Sequence, residues 1–187
     1  MAKSANARQA AARAADAFTP SCTIRPASPD DAAALTALLR ATFMEVWAPQ
    51  MSAEALARWK LREGPAAYVR EKSAAFVVAE TGGVLSGMIH WHEGFVHALH
   101  VDAGHRRQGI AAALIAEAER DMRAADISEM RLETDTFNLP SQALYAALGF
   151  REVERYPDQE YDPRIVTVLL EKTLQRAGRP RKRQPAR

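Results

Sequence analysis

The chain has 187 residues, 26% charged and 48% apolar, with a net charge of +2 and one cysteine. That length suits one domain with a real core, and the lone Cys22 excludes an internal disulfide and fits a reducing, cytoplasmic setting as an inert thiol. No apolar run approaches the ~18 residues of a membrane span, and the N-terminus lacks the continuous apolar stretch of a secretory signal, so neither membrane nor export is expected.

The charge is unevenly spread. Residues 1–17 carry three basic and one acidic residue, and residues 176–187, RAGRPRKRQPAR, six basic and none acidic. Residues 18–175 then hold sixteen basic against twenty-two acidic residues, a net of −6. The basic balance is a property of the ends. Residues 1–19 are expected to be a mobile tail, 20–175 one folded domain, and 176–187 a basic disordered tail.

Within the domain, CTIRPAS (22–28) predicts a strand. SPDDAAALTALLRATFMEVW predicts a helix with Ser28 as N-cap, Pro29 in its first turn and Asp30 and Asp31 at the positive dipole end. Leu35, Leu38, Leu39, Thr42, Phe43 and Val46 give it one buried stripe. SAEALARWKL (52–61) predicts a second, shorter helix. AAFVVAE (74–80) and VLSGMIHWH (84–92) read as strands joined by the hairpin signal Thr81-Gly82-Gly83. Glu93-Gly94 turns the chain into FVHALHV (95–101).

A helix is predicted from about Gly109, with Ile110, Leu114, Ala118 and Met122 on one line. EMRLETD (129–135) is a strand. Asn138 caps a helix that tolerates Pro140 in its first turn and stops at Gly149. REVERY (151–156) and RIVTVLLEKTL (164–174) close the order as strands, the last apolar enough to be covered on both faces. The order β-α-α-β-β-β-α-β-α-β-β predicts an α/β fold: a mixed, mostly antiparallel twisted sheet of six to seven strands with helices on both faces.

The turn HRRQGIAAAL (105–114) poses the chemical question. Gly104 to Gly109 has the glycine spacing of a triphosphate loop, but Ile110 and Ala111 stand where that loop needs Lys and Ser or Thr. The other reading is R-x-x-G-x-A from Arg106 to Ala111, between a strand and a helix. Unpaired amides at a helix start suit a pyrophosphate without metal, and Gly109 with Ala111 to Ala113 keeps the approach open. On these residues alone, a capped helix with exposed arginines accounts for the pattern equally well.

About 30 residues further on, Asn138, Ala143, Tyr145, Gly149 and Phe150 form N-x-x-x-x-A-x-x-x-x-x-G-F with a tyrosine inside it. Together the two motifs resemble the GNAT superfamily of N-acetyltransferases, over roughly Thr23 to Leu174. The resemblance implies acetyl-CoA between two splayed parallel central strands, HALHV and RLETD. It implies pantetheine pairing with the backbone of Leu99 and Val101. The pyrophosphate is implied on the turn formed by Arg106, Arg107, Gln108, Gly109, Ile110, Ala111 and Ala112, and a touch from Asn138 on the cofactor arm.

Transfer to an amine needs a neutral nucleophile, and a lysine-like amine is neutral only about once in 2,500 molecules at pH 7. A route for its proton is therefore required. Tyr145 matches the family tyrosine that protonates the departing thiolate; packing between Leu144 and Leu148 is the alternative. Glu133 matches a glutamate some members use as general base; a solvated strand face is the alternative.

All five histidines lie between His90 and His105. A two-residue turn at Glu93-Gly94 sets His92 against Phe95 and His90 against His97, with His100 on the other face. A metal site would want a further ligand or an open water position, and no metal is expected; an imidazole near the acceptor or in a proton relay fits better. The segment REVERYPDQEYDPR holds Glu152, Glu154, Asp158, Glu160 and Asp162, acidic like the domain as a whole, whether as a solvated loop or beside the acceptor.

The expectation is an acetyl-CoA-dependent N-acetyltransferase acting on a primary amine, a small cationic one, by direct transfer in a ternary complex. Protein N-terminal or lysine amines are the second reading. A non-catalytic acetyl-CoA sensor is the rival from another class, and a homodimer is left open. Nucleic acid is not an expected partner: the basic tail lacks an accompanying stacking platform or reading helix.

Overall fold

The computed structural model describes residues 22–174, so both expected tails lie outside it. In chain order it contains β1 (Thr23–Pro26), α1 (Ala32–Val46), α2 (Ala53–Leu61), α3 (Gly64–Lys72), β2 (Phe76–Thr81), β3 (Val84–His92) and β4 (Phe95–Val101). Then come α4 (Ile110–Ala124), β5 (Glu129–Asp135), α5 (Leu139–Ala147), β6 (Arg151–Pro157) and β7 (Val166–Thr173). The strands form one seven-stranded sheet in the order β1-β2-β3-β4-β5-β7-β6. Neighbours are antiparallel except β4 and β5.

The first helix begins later than its sequence suggests. Pro29–Asp31 forms a single 3-10 turn, and α1 starts at Ala32. The cause is Asp31, which accepts from the Ser28 amide at 2.7 Å and from the Arg25 guanidinium at 2.7 and 2.9 Å. That buried carboxylate anchors the turn to β1, and Arg25 holds it well below the usual carboxylate range. α2 starts as expected, its Ser52 hydroxyl accepting from the Ala55 amide. α3 has no counterpart in the sequence reading: Gly64 and Pro65 look like a break but lie in its first turn, where a proline costs no hydrogen bond.

Helices cover both faces. On one, Leu35, Leu38 and Leu39 of α1 and Val69 of α3 pack on Phe76, Val78 and Met88. On the other, the line Ile110, Leu114, Ala118 and Met122 of α4 packs with Tyr145 of α5 on Ile89, Val96, Met130 and Leu132. Each such aliphatic side chain buried is worth roughly 1.5–3 kcal/mol before entropy, so the sheet is pinned between two independent cores.

The feature that shapes the site is a bulge. Between β3 and β4 the register passes from Trp91↔Val96 to His90↔Ala98, leaving His97 as an extra residue. A bulge bends its strand and disrupts the ladder. Parallel pairing of β4 with β5 is confined to Phe95↔Arg131 and Val96↔Leu132, and ends at the residue before the bulge. Upstream the strands are held tightly, with Arg131 donating to the Gly94 carbonyl at 2.8 Å. A Cβ at Gly94 would sit 2.8 Å from the Glu129 carbonyl oxygen, so only glycine fits there. The two central strands are pinned at one end and splayed at the other.

The bulge also corrects the histidine faces. His100 pairs with Met88, and His90 lies two residues along the same strand. The extra residue reverses the alternation, so His100 shares the α1 face with His90 rather than opposing it.

Candidate active site

At the open end of the splay, the chain leaves β4, makes a short 3-10 turn at Ala103–His105 and enters α4 through Gly109. Gly109 (φ 79°) and Arg107 (φ 59°) both adopt left-handed backbone. The consequence is a run of unpaired donors. His105 N–H reaches the Asp102 carbonyl and Ala113 N–H the Gly109 carbonyl, but between them the amides of Arg106 to Ala112 find no acceptor among the described residues. Together with the dipole of a 15-residue helix, these form a candidate anion cradle. Gln108 folds back, its side-chain amide donating to the Gly104 carbonyl at 3.3 Å. The exposed Arg107 guanidinium makes no bond to a described residue. Arg106 is different: its side chain is committed to Glu45 and the Val101 carbonyl.

Leu99 and Val101 are half-buried on β4 beyond the bulge, where β5 no longer takes up its outward backbone groups. Asn138 caps α5, accepting from the Ser141 amide at 3.3 Å. Tyr145, two turns along α5, is 6% exposed and sits edge-on to Phe150 at 5.6 Å. Its hydroxyl has no partner among the described residues, yet none of their fully buried side-chain polar atoms lacks one. The small part of Tyr145 left accessible therefore includes its oxygen. Burial raises the phenol, which keeps its proton at neutral pH.

Glu133 lies on the opposite sheet face, where it accepts from the Tyr156 hydroxyl. With Glu154, Tyr156, Asp158, Gln159, Glu160 and Thr167 it lines a cleft of about 540 Å³, four carboxylates and no cation. Desolvation, then Asp158 and Glu133, raises the Glu160 carboxyl. Not all five acids of the 151–164 segment face it. Asp162 is buried, paired with Arg164 at 3.0 Å and accepting from the Ser52 amide at 2.8 Å. Glu152 pairs with Arg155. Asp158 also accepts from the Asp162 amide at 2.8 Å and so closes the loop on itself.

Behind this cleft stand Asp135, which no local pattern flagged, and two of the clustered histidines. Asp135, 6% exposed at the end of β5, accepts from the Trp47 indole at 2.7 Å; burial, and then the charges of Asp158 and Glu133, push its carboxyl up to about 6. His90 bonds the Tyr68 hydroxyl through Nδ1 at 2.6 Å, and its ring lies 5.2 Å from that of His97. Burial, then His97, Lys72 and His92, pushes His90 down to about 4, so it is neutral at pH 7. His97 is lowered as well, by burial and by His92, with Glu133 opposing. His90 and His97 share a sheet face, as the Glu93-Gly94 turn implied. No three His, Cys, Asp or Glu side chains among the described residues form a metal-sized cluster.

The α/β sheet is closed everywhere but between β4 and β5, with unpaired amides at that opening, a protonated tyrosine on one face and an acidic cleft on the other. The match is with a particular family: the model of the acetyltransferase (GNAT) family covers residues 32–150, and the chain belongs to that family. It is 44% identical over 61 residues to aminoglycoside N(6')-acetyltransferase type 1 of Serratia marcescens, an overlap of 33% of this chain and 42% of that protein. It is 33% identical over 119 residues to blasticidin-S acetyltransferase of Streptomyces morookaense, covering 61% of this chain and 85% of the relative. Among solved structures, the PaiA N-acetyltransferase of Thermoplasma acidophilum in complex with coenzyme A shares the fold, with a TM-score of 0.61 at 21% identity, covering 82% of this chain and 99% of that one.

Proposed function

We propose that the protein is an acetyl-CoA-dependent N-acetyltransferase that acetylates a primary amine, a small cationic one, by direct transfer in a ternary complex. The observation that carries this reading is the opening between β4 and β5, with the amides of Arg106 to Ala112 at its mouth. The pyrophosphate of acetyl-CoA would take those amides, with Arg107 adding charge. The pantetheine would run along Leu99 and Val101 past Asn138, supplying the strand pairing that β4 lacks. Family membership and a fold neighbour solved with coenzyme A support the same cofactor.

The thioester would then lie in the splay, with Tyr145 on one side and the acidic cleft on the other. The ammonium acceptor would enter from the Glu133 face, drawn by Glu154, Asp158 and Glu160. Glu133 takes its proton, directly or through water. The freed amine attacks the thioester carbonyl, forming the amide C–N bond and breaking C–S; Tyr145 protonates the departing thiolate, and the second proton shed by the nitrogen restores the tyrosine through water. Relatives named for aminoglycoside and blasticidin-S acetylation favour a small acceptor over a protein one.

The test is free-thiol detection with acetyl-CoA and a panel of dicationic amines, neutral-bodied monoamines and acidic amino acids. Thiol release with the cationic members is expected. Tight acetyl-CoA binding with no release from any amine would instead favour the non-catalytic sensor.

A further inference from the structure

Two contacts leave the last turn of α1 in different directions. Glu45 receives both terminal nitrogens of Arg106, at 2.7 and 2.6 Å. Trp47 donates its indole N–H to Asp135 at 2.7 Å, and its ring lies 6.0 Å from that of His100. Arg106 belongs to the cradle turn, His100 to β4 and Asp135 to the end of β5. One helix turn therefore touches the cradle and both splayed strands.

The guanidinium of Arg106 is used up inside the protein. Its terminal nitrogens face Glu45 and its Nε faces the Val101 carbonyl at 3.4 Å. A two-pronged carboxylate pair of this kind fixes direction as well as distance. Its side chains are 38% and 48% exposed, so it adds little to global stability; its effect is on position. The neighbouring Arg107 has no described partner and remains the cation available to an anion.

We propose that Arg106 is a positioning residue that acts through Glu45: it clamps the end of α1 to the cradle turn and so holds Trp47 and Asp135, which backs Thr167 of the acidic cleft, in register with the coenzyme. This rests on the acetyl-CoA site proposed above. A direct phosphate ligand and a clamp behave differently on mutation. Loss of either clamp partner has the same effect, whereas only loss of Arg106 would harm a phosphate contact.

The experiment compares Glu45→Gln, Arg106→Gln, the double variant and the exchanged pair Glu45→Arg/Arg106→Glu in the full chain. The first readout is the Trp47 indole N–H resonance in the coenzyme-free protein, assigned by its loss in Trp47→Phe. Both single variants are expected to move it alike, and the exchanged pair to bring it back. The second is turnover with acetyl-CoA titrations. Both single variants are expected to lower kcat by a similar ~3–10-fold with the acetyl-CoA Kd within ~2-fold, and the double variant to be no worse than either, as coupled residues are not additive. An indole resonance unmoved by Glu45→Gln would overturn the clamp. So would a tenfold rise in acetyl-CoA Kd in Arg106→Gln alone, which would make Arg106 a direct ligand. A responsive indole in a protein that binds no acetyl-CoA would refute the coenzyme site and leave the clamp standing.

Discussion

Tyr145 and Asp135 show how burial sets the chemistry of single side chains. Tyr145 is held by apolar neighbours with its oxygen among the few atoms left accessible, the arrangement a proton donor needs. Tyr145→Phe removes that oxygen and nothing else, so acetyl-CoA affinity should be intact while kcat falls by ~10²-fold; an unchanged kcat would return the residue to a packing role. Asp135 works on stability. Its folded-state pKa of about 6 lies above the ordinary 3.8, so the folded protein keeps a proton that the unfolded chain has released. The contribution is favourable below pH ~4 and is lost as pH rises through 6, on the order of 2–3 kcal/mol. Asp135→Asn carries no such charge and can still accept from Trp47. Thermal melts should show it more stable than the parent by roughly 4–8 °C at pH 7.5 and level with it at pH 4; an equal or lower Tm at pH 7.5 would contradict the buried, raised carboxyl. His90 and His100, each lowered to about 4, act oppositely, losing stability as pH falls from 6.5 to 4, and cancel in this comparison. The roles proposed for Tyr145 and Glu133 come only from the resemblance, since an aromatic on a helix and an acid on a strand fit ordinary packing and solvation. Asp135 carried no signal at all, because what makes it unusual is an indole 88 residues away in sequence.

At the scale of elements, the site depends on one extra residue and one turn. The bulge at His97 bends β4 away from β5, and the left-handed Gly109 starts α4 with its amides outward. Gly109→Glu puts both strain and negative charge into the cradle, while Gly109→Asn tolerates the same backbone without charge. Calorimetry should find acetyl-CoA binding lost in the first and largely kept in the second, with both folded; unchanged affinity in Gly109→Glu would remove the pyrophosphate from this turn. Most elements were legible because they carry local marks: the Gly82-Gly83 hairpin, the Asn138 cap, the apolar line of α4. Two features were not. The bulge leaves FVHALHV looking like an ordinary alternating strand, and only the register against β3 exposes His97 as surplus. α3 hid behind Gly64-Pro65, which marks a helix start as readily as a break.

For the molecule as a whole, charge and topology meet at the sheet. The net −6 of residues 18–175 was legible in the sequence, but its use was not: of the five acids in the 151–164 segment, Asp162 and Glu152 are tied to arginines, and Asp158 also closes its loop. Glu154 and Glu160 line the cleft with Glu133 and are the carboxylates proposed to draw the acceptor. The central claim is that a cationic amine reaches the thioester from this acidic face. It is tested most directly by kcat/KM for a spermidine-like amine against a neutral-bodied monoamine of similar size, at low and high salt. A clear preference for the polycation is expected. It should shrink as salt screens the cleft, over a Debye length that falls from ~10 Å at 0.1 M to ~3 Å at 1 M, and shrink likewise in Glu154→Gln/Glu160→Gln. Equal or better activity on anionic-bodied acceptors such as acidic amino acids, unaffected by salt, would contradict it.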